Sequence, residues 1–139
     1  MAFLLELSNK PSQMTENEIA EVVIDIGFHI HRKWGPGLLE TAYEELMVHH
    51  LRANGFFVEQ QKEIPFEEDG AKLTAGFRAD IIVEKKLIIE LKSIERLAPV
   101  HGKILLTYLR LTNLKLGLLM NFGEAFLKDG IKRVINGYL

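Results

Sequence analysis

The spacing of apolar residues changes near Phe56, and this change constrains the fold more than any other feature of the sequence. Before it, apolar residues recur at every third or fourth position, which predicts amphipathic helices over residues 16–34 and about 38–54. Thr15 and Glu18 form a T-x-x-E capping box at the start of the first helix. The first third of the chain is therefore expected to be largely helical.

After Phe56 the pattern becomes that of strands. The segment "FFVEQQKEIPF" predicts one strand, and "KLTAGFRADIIVE" predicts the next, with Gly76 marking a bulge or bend. The "DG" pair at 69–70 predicts a hairpin turn between them. The segment "LIIELKS", residues 87–93, then predicts the third strand of a meander.

The rest of the chain alternates between helix and strand. Pro99 is well placed to open a third helix over about 99–112, and buried strands are expected at 114–122 and 131–137. This order of elements predicts an α/β fold in which α-helices flank a mixed β-sheet. The third helix would form a right-handed crossover between two of the strands.

Composition favours a single globular domain. The 139 residues are 47% hydrophobic and 26% charged, and their number suits one core. We expect this domain over residues 15–139, after an N-terminal extension over residues 1–14. The apolar runs are too short to cross a membrane, and the opening residues lack the basic segment of a signal peptide. The chain contains no cysteine, which excludes thiolate metal sites and favours a reducing, cytoplasmic location.

Charge is distributed unevenly along the chain, although the net charge is only −2. Residues 1–70 hold 5 Lys/Arg and 13 Asp/Glu, a balance of −8, whereas residues 71–139 hold 12 and 6, a balance of +6. Such asymmetry can mark a basic face for an anionic partner such as nucleic acid. It is equally typical of two solvated surfaces that differ, or of a homodimeric scaffold whose acidic half binds a basic partner.

Glu90 lies inside the apolar segment "LIIELKS", where an unpaired carboxylate would be costly. Alternation places Glu90 and Lys92 on one face of this strand, and Asp80 is the acid of the strand before it. Two converging carboxylates need a cation or a shared proton, and all-oxygen ligands favour Mg²⁺ or Mn²⁺. The alternative is a salt bridge between Asp80 and Lys92, with Glu90 paired to another cation.

The turn between these two strands decides whether Asp80 and Glu90 share a face. A two-residue loop at 85–86 would leave the carboxylates on opposite faces of the sheet. A three-residue loop at 85–87 would pair Asp80 with Lys92 and bring all three polar side chains together, as would a bulge. We predict the odd loop or the bulge.

The spacing from Asp80 across nine residues to Glu90-x-Lys92, on two hairpin strands followed by a helix, resembles the PD-(D/E)xK nuclease superfamily. Upstream, "GLLETAY" contains Glu40 and Tyr43 in the pattern G-x-x-E-x-x-Y, the signature of the GxxExxY family within that superfamily. The segments "FRADIIVE", "IIELKS", "PVH", "YLRLT" and "GLLMNFG" resemble successive blocks of the same family. The resemblance covers roughly residues 15–137 and implies a restriction-endonuclease-like core.

The resemblance also implies roles for individual residues. Asp80 and Glu90 would bind the metal together with the backbone carbonyl of Leu91, and Lys92 would be the catalytic lysine. Glu40 would be an additional acid contributed by a helix, unless it only stabilises the dipole of that helix. Tyr43 is expected to pack or to form hydrogen bonds rather than to catalyse.

One position departs from the pattern of related nucleases, which often carry a glutamine in the helix after the E-x-K strand. Alignment of "PVH" and "YLRLT" places Ile104 there. The leading hypothesis is a nuclease dependent on Mg²⁺ or Mn²⁺ that cleaves DNA, or RNA. The alternative is a catalytically silent module of the same fold that binds nucleic acid or protein.

Further candidates are expected to contact substrate or to lie in the core. Lys103 and Arg110 share one face of the third helix, which could meet phosphates or be an ordinary solvated face. His101 could face the site, cap the helix or lie in the core. Arg78 lies on the same strand face as the first acid. The aromatic residues Trp34 and Tyr108 are assigned to the core.

Overall fold

The computed structural model describes residues 10–73 and 75–139. In this part of the chain the helices are α1 (Glu16–Trp34), α2 (Glu40–Ala53) and α3 (Pro99–Thr112). The strands are β1 (Val58–Glu63), β2 (Phe66–Glu68), β3 (Ala71–Leu73), β4 (Arg78–Val83), β5 (Leu87–Lys92), β6 (Leu116–Asn121) and β7 (Ile131–Ile135). Short 3-10 turns cover Pro11–Gln13 and Leu127–Gly130.

The predictions for α1 and α3 are confirmed, and α2 begins two residues later than expected. The capping box is formed as predicted. The backbone N–H of Thr15 donates to Glu18 Oε1 at 2.9 Å, and the backbone N–H of Glu18 donates to Thr15 Oγ1 at 3.2 Å. Local sequence signals were therefore sufficient to define the start of α1.

The predicted meander is confirmed in its antiparallel order, since β1 pairs with β4 and β4 pairs with β5, but its first two strands are each broken. The segment after Phe56 is interrupted at Ile64 and Pro65, since proline has no N–H to donate to a ladder. The next segment is interrupted before β4, where Gly76 adopts a φ of 78°. The hairpin at "DG" is confirmed, but β2 and β3 form a separate two-stranded sheet around it.

The main sheet has five strands in the order β1, β4, β5, β6, β7. Its β5–β6 pair is parallel and is connected through α3, whereas the other neighbours are antiparallel. A mixed sheet flanked by helices is thus confirmed. Alternation along β5 sends Leu87, Ile89 and Leu91 into a core beneath α1 and α2, and Ile88 into a second core beneath α3.

Residues 1–9 of the predicted N-terminal extension lie outside the described residues. Met14 is fully buried in the core beneath α1, and Lys86 Nζ donates to the backbone carbonyls of Ser12 and Met14 at 3.0 and 2.7 Å. None of the helices in the described part of the chain is long and apolar enough to cross a membrane.

The assignment of Trp34 to the core is wrong, since 49% of its surface is exposed. The helical spacing that includes it is real, but α1 ends at this residue, one turn beyond the last buried aliphatic residue, Ile30. Tyr108, the other aromatic residue assigned to the core, is half-buried against the core beneath α3.

Candidate functional site

The register between β4 and β5 places Asp80 across from Glu90. Val83 pairs with Leu87, which leaves a three-residue turn at 84–86. The prediction of an odd loop is therefore confirmed, but the loop starts one residue earlier than expected. Continuing the register brings Asp80 opposite Glu90 rather than Lys92, because a shift of the turn by one position moves the pairing by two residues.

The two carboxylates occupy the gap between their strands. The backbone N–H of Asp80 donates to Glu90 Oε1 at 3.1 Å, and the backbone N–H of Leu91 donates to Asp80 Oδ2 at 2.9 Å. Each carboxylate thus accepts a hydrogen bond from the opposite strand. The regular ladder between the strands extends only as far as Ile81 and Ile89, so the carboxylates replace its next rungs.

Burial and neighbouring charge strongly perturb Glu90. The pKa of Glu90 is raised to about 9, chiefly by desolvation and then by the Asp80 charge, while the Asp80 N–H and the Lys92 ammonium act to lower it. Without a cation the pair therefore holds a proton at neutral pH. A divalent cation between the carboxylates would replace that proton, because it neutralises both charges at once.

Glu40, the first residue of α2, lies within electrostatic reach of this pair. Partial desolvation raises the pKa of Glu40, Lys92 lowers it, and Asp80 and Glu44 raise it. The structure thus brings the four predicted charged residues, Glu40, Asp80, Glu90 and Lys92, to one end of the sheet.

The tyrosine of the G-x-x-E-x-x-Y pattern holds the start of α2 in place. The Tyr43 hydroxyl donates to the Gly35 carbonyl and accepts from the Leu38 N–H at 3.0 Å, so it closes the turn before α2. The Tyr43 ring is fully buried and stacks on Phe122, with 4.4 Å between ring centroids. Ser93 Oγ donates to the Leu38 carbonyl at 2.7 Å, which ties this turn to the end of β5. The prediction that Tyr43 packs and forms hydrogen bonds is confirmed.

Sequence reasoning missed a polar cluster formed by Glu44, Gln60 and Gln61. Glu44 is buried, and its carboxylate accepts from Gln60 Nε2 at 2.7 Å and from Gln61 Nε2 at 2.6 Å. Gln61 Nε2 also donates to Asp80 Oδ1 at 3.2 Å. Adjacent strand residues normally point to opposite faces, but Gln61 has a φ of 51°, which lets both amides reach one carboxylate. The one sequence signal for this cluster was that Glu44 shares a side of α2 with Glu40, which placed Glu44 near the site.

Asn121 is a second residue that the sequence did not single out. It pairs with Lys92 in the parallel ladder and is fully buried. Its Oδ1 accepts from the backbone N–H groups of Ile94 at 3.0 Å and Gly123 at 3.1 Å, which fixes the chain just after Lys92. Within the described residues its Nδ2 has no hydrogen-bond partner.

Tyr108 contributes to the site as well as to the core. Desolvation raises the pKa of Tyr108 and the Glu90 charge raises it further, while a hydrogen bond with the Arg78 backbone lowers it. Its ring lies edge-on to Phe77, with 6.0 Å between centroids. The phenol of Tyr108 therefore borders the acid pair on the side of α3.

The residues predicted to contact substrate are more dispersed than the charged residues around the acid pair. Lys103 and Arg110 are exposed on α3, and Arg78 is exposed at the start of β4, two residues before Asp80. His101 caps the start of α3, because its Nδ1 accepts from the Ala98 N–H at 2.9 Å. On the same helix Ile104 is 44% exposed.

The donor set fits a hard divalent cation without enclosing it. Over residues 10–73 and 75–139, no group of three or more acidic or imidazole side chains is close enough to hold a metal ion. Mg²⁺, however, is usually held by one or two carboxylates, with water and substrate oxygens completing its shell. Asp80 and Glu90 supply two such carboxylates, and burial that disfavours the charge on Glu90 would be offset by a cation.

Comparison with models of protein families matches residues 17–134 to the PD-(D/E)XK nuclease superfamily. The matched range runs from α1 to β7 and contains every residue of the candidate site. No curated protein and no solved structure matches the chain.

Proposed function

Because the chain belongs to the PD-(D/E)XK nuclease superfamily, we propose that it hydrolyses phosphodiester bonds in nucleic acid, with DNA as substrate and Mg²⁺ as cofactor. The observation that carries this proposal is the pair of carboxylates, Asp80 and Glu90, each hydrogen-bonded to the opposite strand. The burial that raises the pKa of Glu90 to about 9 supports a cation at this pair, because a divalent ion would offset both carboxylate charges.

Asp80, Glu90 and the backbone carbonyl of Leu91 would hold the ion, and Glu40 would complete its surroundings from α2. When bound, the ion supplies Lewis-acid polarisation of the phosphoryl group. The hydrogen bonds between the strands keep both carboxylates in position before the ion arrives, so little rearrangement opposes binding.

Lys92 follows Glu90 by two residues and has the same side-chain direction. In the proposed reaction a water attacks phosphorus in line with the leaving oxygen. The Lys92 ammonium orients this water and offsets the negative charge that develops on the phosphoryl oxygens. Asn121 acts indirectly, because it fixes the chain on the C-terminal side of Lys92.

A second candidate function is a catalytically silent module that binds nucleic acid. One observation favours it. The α3 position where related nucleases often carry glutamine is occupied here by Ile104, whose exposed side chain cannot orient water or contact phosphate through a hydrogen bond.

The test is an assay with purified protein and single-stranded DNA, duplex DNA, branched DNA and RNA, each with Mg²⁺, with Mn²⁺ and with a chelator. Asp80→Asn, Glu90→Gln and Lys92→Ala are compared with wild type. Glu67→Gln, a change at an exposed carboxylate of β2, is the matched control purified in the same way.

Cleavage that requires the ion, is lost in the three site variants and survives in Glu67→Gln supports the nuclease. Cleavage that persists in Glu90→Gln comes from another protein and defeats the proposal. Nucleic-acid binding without cleavage by wild type establishes the silent module instead. We also propose a cytoplasmic location, since the chain contains no cysteine.

A further inference from the structure

A groove with basic walls lies between the N-terminal half of α3 and the edge strand β7. Its volume is about 400 Å³, and it is lined by Lys103, Leu106, Lys132, Arg133 and Ile135, among others. Three of the lining residues are cations, and none is acidic. The groove therefore presents positive charge above an apolar floor.

Two of these cations are available to a ligand. Lys103 and Lys132 are exposed, and within the described residues neither ammonium takes part in an ion pair or a hydrogen bond. Arg133, by contrast, donates to Asn17 Oδ1 at 2.7 Å, towards α1. The Lys132 side chain extends over Gly102, where a Cβ would lie 3.0 Å from Nζ. The glycine leaves room for the ammonium against α3.

The groove lies level with the acid pair along the sheet. Lys132 pairs with Leu119, and Leu119 pairs with Glu90 in the neighbouring strand. Since adjacent strands are about 4.8 Å apart, the Lys132 and Glu90 backbones are separated by about 10 Å. The groove and the acid pair thus flank the N-terminal half of α3.

We propose that this groove binds the sugar-phosphate backbone of a single-stranded segment of nucleic acid, with Lys103 and Lys132 contacting its phosphates. This inference rests on the proposed function, because it supplies the track along which a strand reaches Asp80 and Glu90. It extends that function by naming the form of the substrate and two residues beyond the reacting centre.

The chemistry of the walls favours a single strand over a duplex. Grooves that bind single strands combine cations for the backbone with side chains, most often aromatic, against which unstacked bases pack. In this groove the available apolar side chains are aliphatic. Here the apolar surface continues over α3, where Val100 is 51% exposed and Ile104 is 44% exposed. A duplex hides its base faces, so this apolar surface would gain nothing from it.

The experiment measures binding of a fluorescein-labelled oligothymidylate by anisotropy in chelator, where no cleavage occurs, over a range of salt concentrations. Two phosphate contacts should contribute a slope of about 1.4 to a plot of log Kd against the logarithm of the salt concentration. At about 0.1 M salt this slope corresponds to a contribution of roughly 25-fold to the affinity. Lys103→Ala combined with Lys132→Ala should therefore weaken binding by that factor and reduce the slope by that amount.

A matched double variant, Lys10→Ala with Lys115→Ala, removes the same charge at the opposite end of the sheet. Lys115 directly precedes Leu116, which pairs with Leu87 beside the β4–β5 turn. This control should bind as wild type does. Gly102→Leu retains every charge but fills the space beneath Lys132, and it should weaken binding at least fivefold while its melting temperature stays at or above that of wild type.

Equal losses in both double variants would overturn the proposal, because bulk charge would then explain binding. Duplex DNA bound as tightly through the same lysines would overturn the choice of a single strand, and so would failure of wild type to bind oligothymidylate. Cleavage with Mg²⁺ is scored separately. If the protein binds through the groove lysines but does not cleave, the nuclease proposal is refuted and the groove proposal stands. If it cleaves equally well without Lys103 and Lys132, the groove proposal is refuted and the nuclease proposal stands.

Discussion

The two ends of the β4–β5 hairpin, one apolar and one acidic, are held together differently. At the turn end, Val83 and Leu87 pair in a regular ladder, and their side chains are buried in the core. At the other end, the side chains of Asp80 and Glu90 take over hydrogen bonds that the backbone would otherwise make. One end stabilises the fold, and the other holds reactive groups at a cost in stability.

The difference teaches where a site can be built into a small domain. A polar site in the middle of the ladder would disrupt packing on both faces, since residues there alternate between two cores. At the end of the ladder the strands can separate, and carboxylates can replace its rungs without opening a cavity. The predictions below change one end of the hairpin or the other.

The largest expected effect is on catalysis at the acid end. Lys92→Ala should lower kcat by about 10²–10³-fold, since it removes a charge that acts on the transition state. Single-turnover assays with Mg²⁺ measure this, and Lys72→Ala on β3 is the control. Equal rates for both variants would remove Lys92 from the mechanism.

Within the regular ladder a comparable change should act on stability instead. Ile89→Ala deletes a fully buried side chain beneath α1 and α2 and should cost about 2–5 kcal/mol in the free energy of unfolding. Urea denaturation measures the loss. A cost below about 1 kcal/mol would mean that packing in the regular part of the hairpin contributes little to stability.

Glu90→Gln, one residue away, should stabilise the protein. The folded state raises the pKa of Glu90 from 4.5 to about 9, so the stability that this group contributes falls as pH rises between those values and then stays level. Glutamine carries no charge, and its amide can both accept from the Asp80 N–H and donate to the Asp80 carboxylate. In chelator at neutral pH we expect a gain of about 2 kcal/mol.

The control for this effect is pH itself. At pH 4 the two proteins should unfold at nearly the same urea concentration, because Glu90 is then protonated in both states. Adding Mg²⁺ at neutral pH should narrow the difference by stabilising wild type alone. A difference in the free energy of unfolding that stays constant from acid to neutral pH would show that the charge of Glu90 does not destabilise the folded protein.

A smaller effect is expected at the turn that positions Glu40. Tyr43→Phe keeps the ring on Phe122 but removes the hydroxyl that bonds to Gly35 and Leu38. The loss should be about 1 kcal/mol in stability, together with a measurable fall in cleavage. Thr15→Ala should cost about as much stability through its lost cap, but it should leave cleavage unchanged.

Much of the fold was predictable because it depends on local signals. The capping box before α1, the proline at the start of α3 and the hairpin at "DG" each act over a few residues, and each was found where expected. The bend expected at Gly76 is a full interruption between β3 and β4, and the break near Pro65 was not predicted. Both residues weaken a strand, but whether the chain continues past them depends on which strands lie beside it.

For the candidate site, the sequence by itself determined which groups were available and that an odd turn would bring Asp80 and Glu90 to one face. Only the tertiary structure decided their pairing, because register depends on where the turn begins, and a one-residue change there moves the opposite strand by two. It also decided that Gln60 and Gln61 both reach Glu44, and that Lys132 lies level with Glu90. These contacts join residues far apart in the chain, so no local pattern specifies them; they follow from how the strands and helices pack.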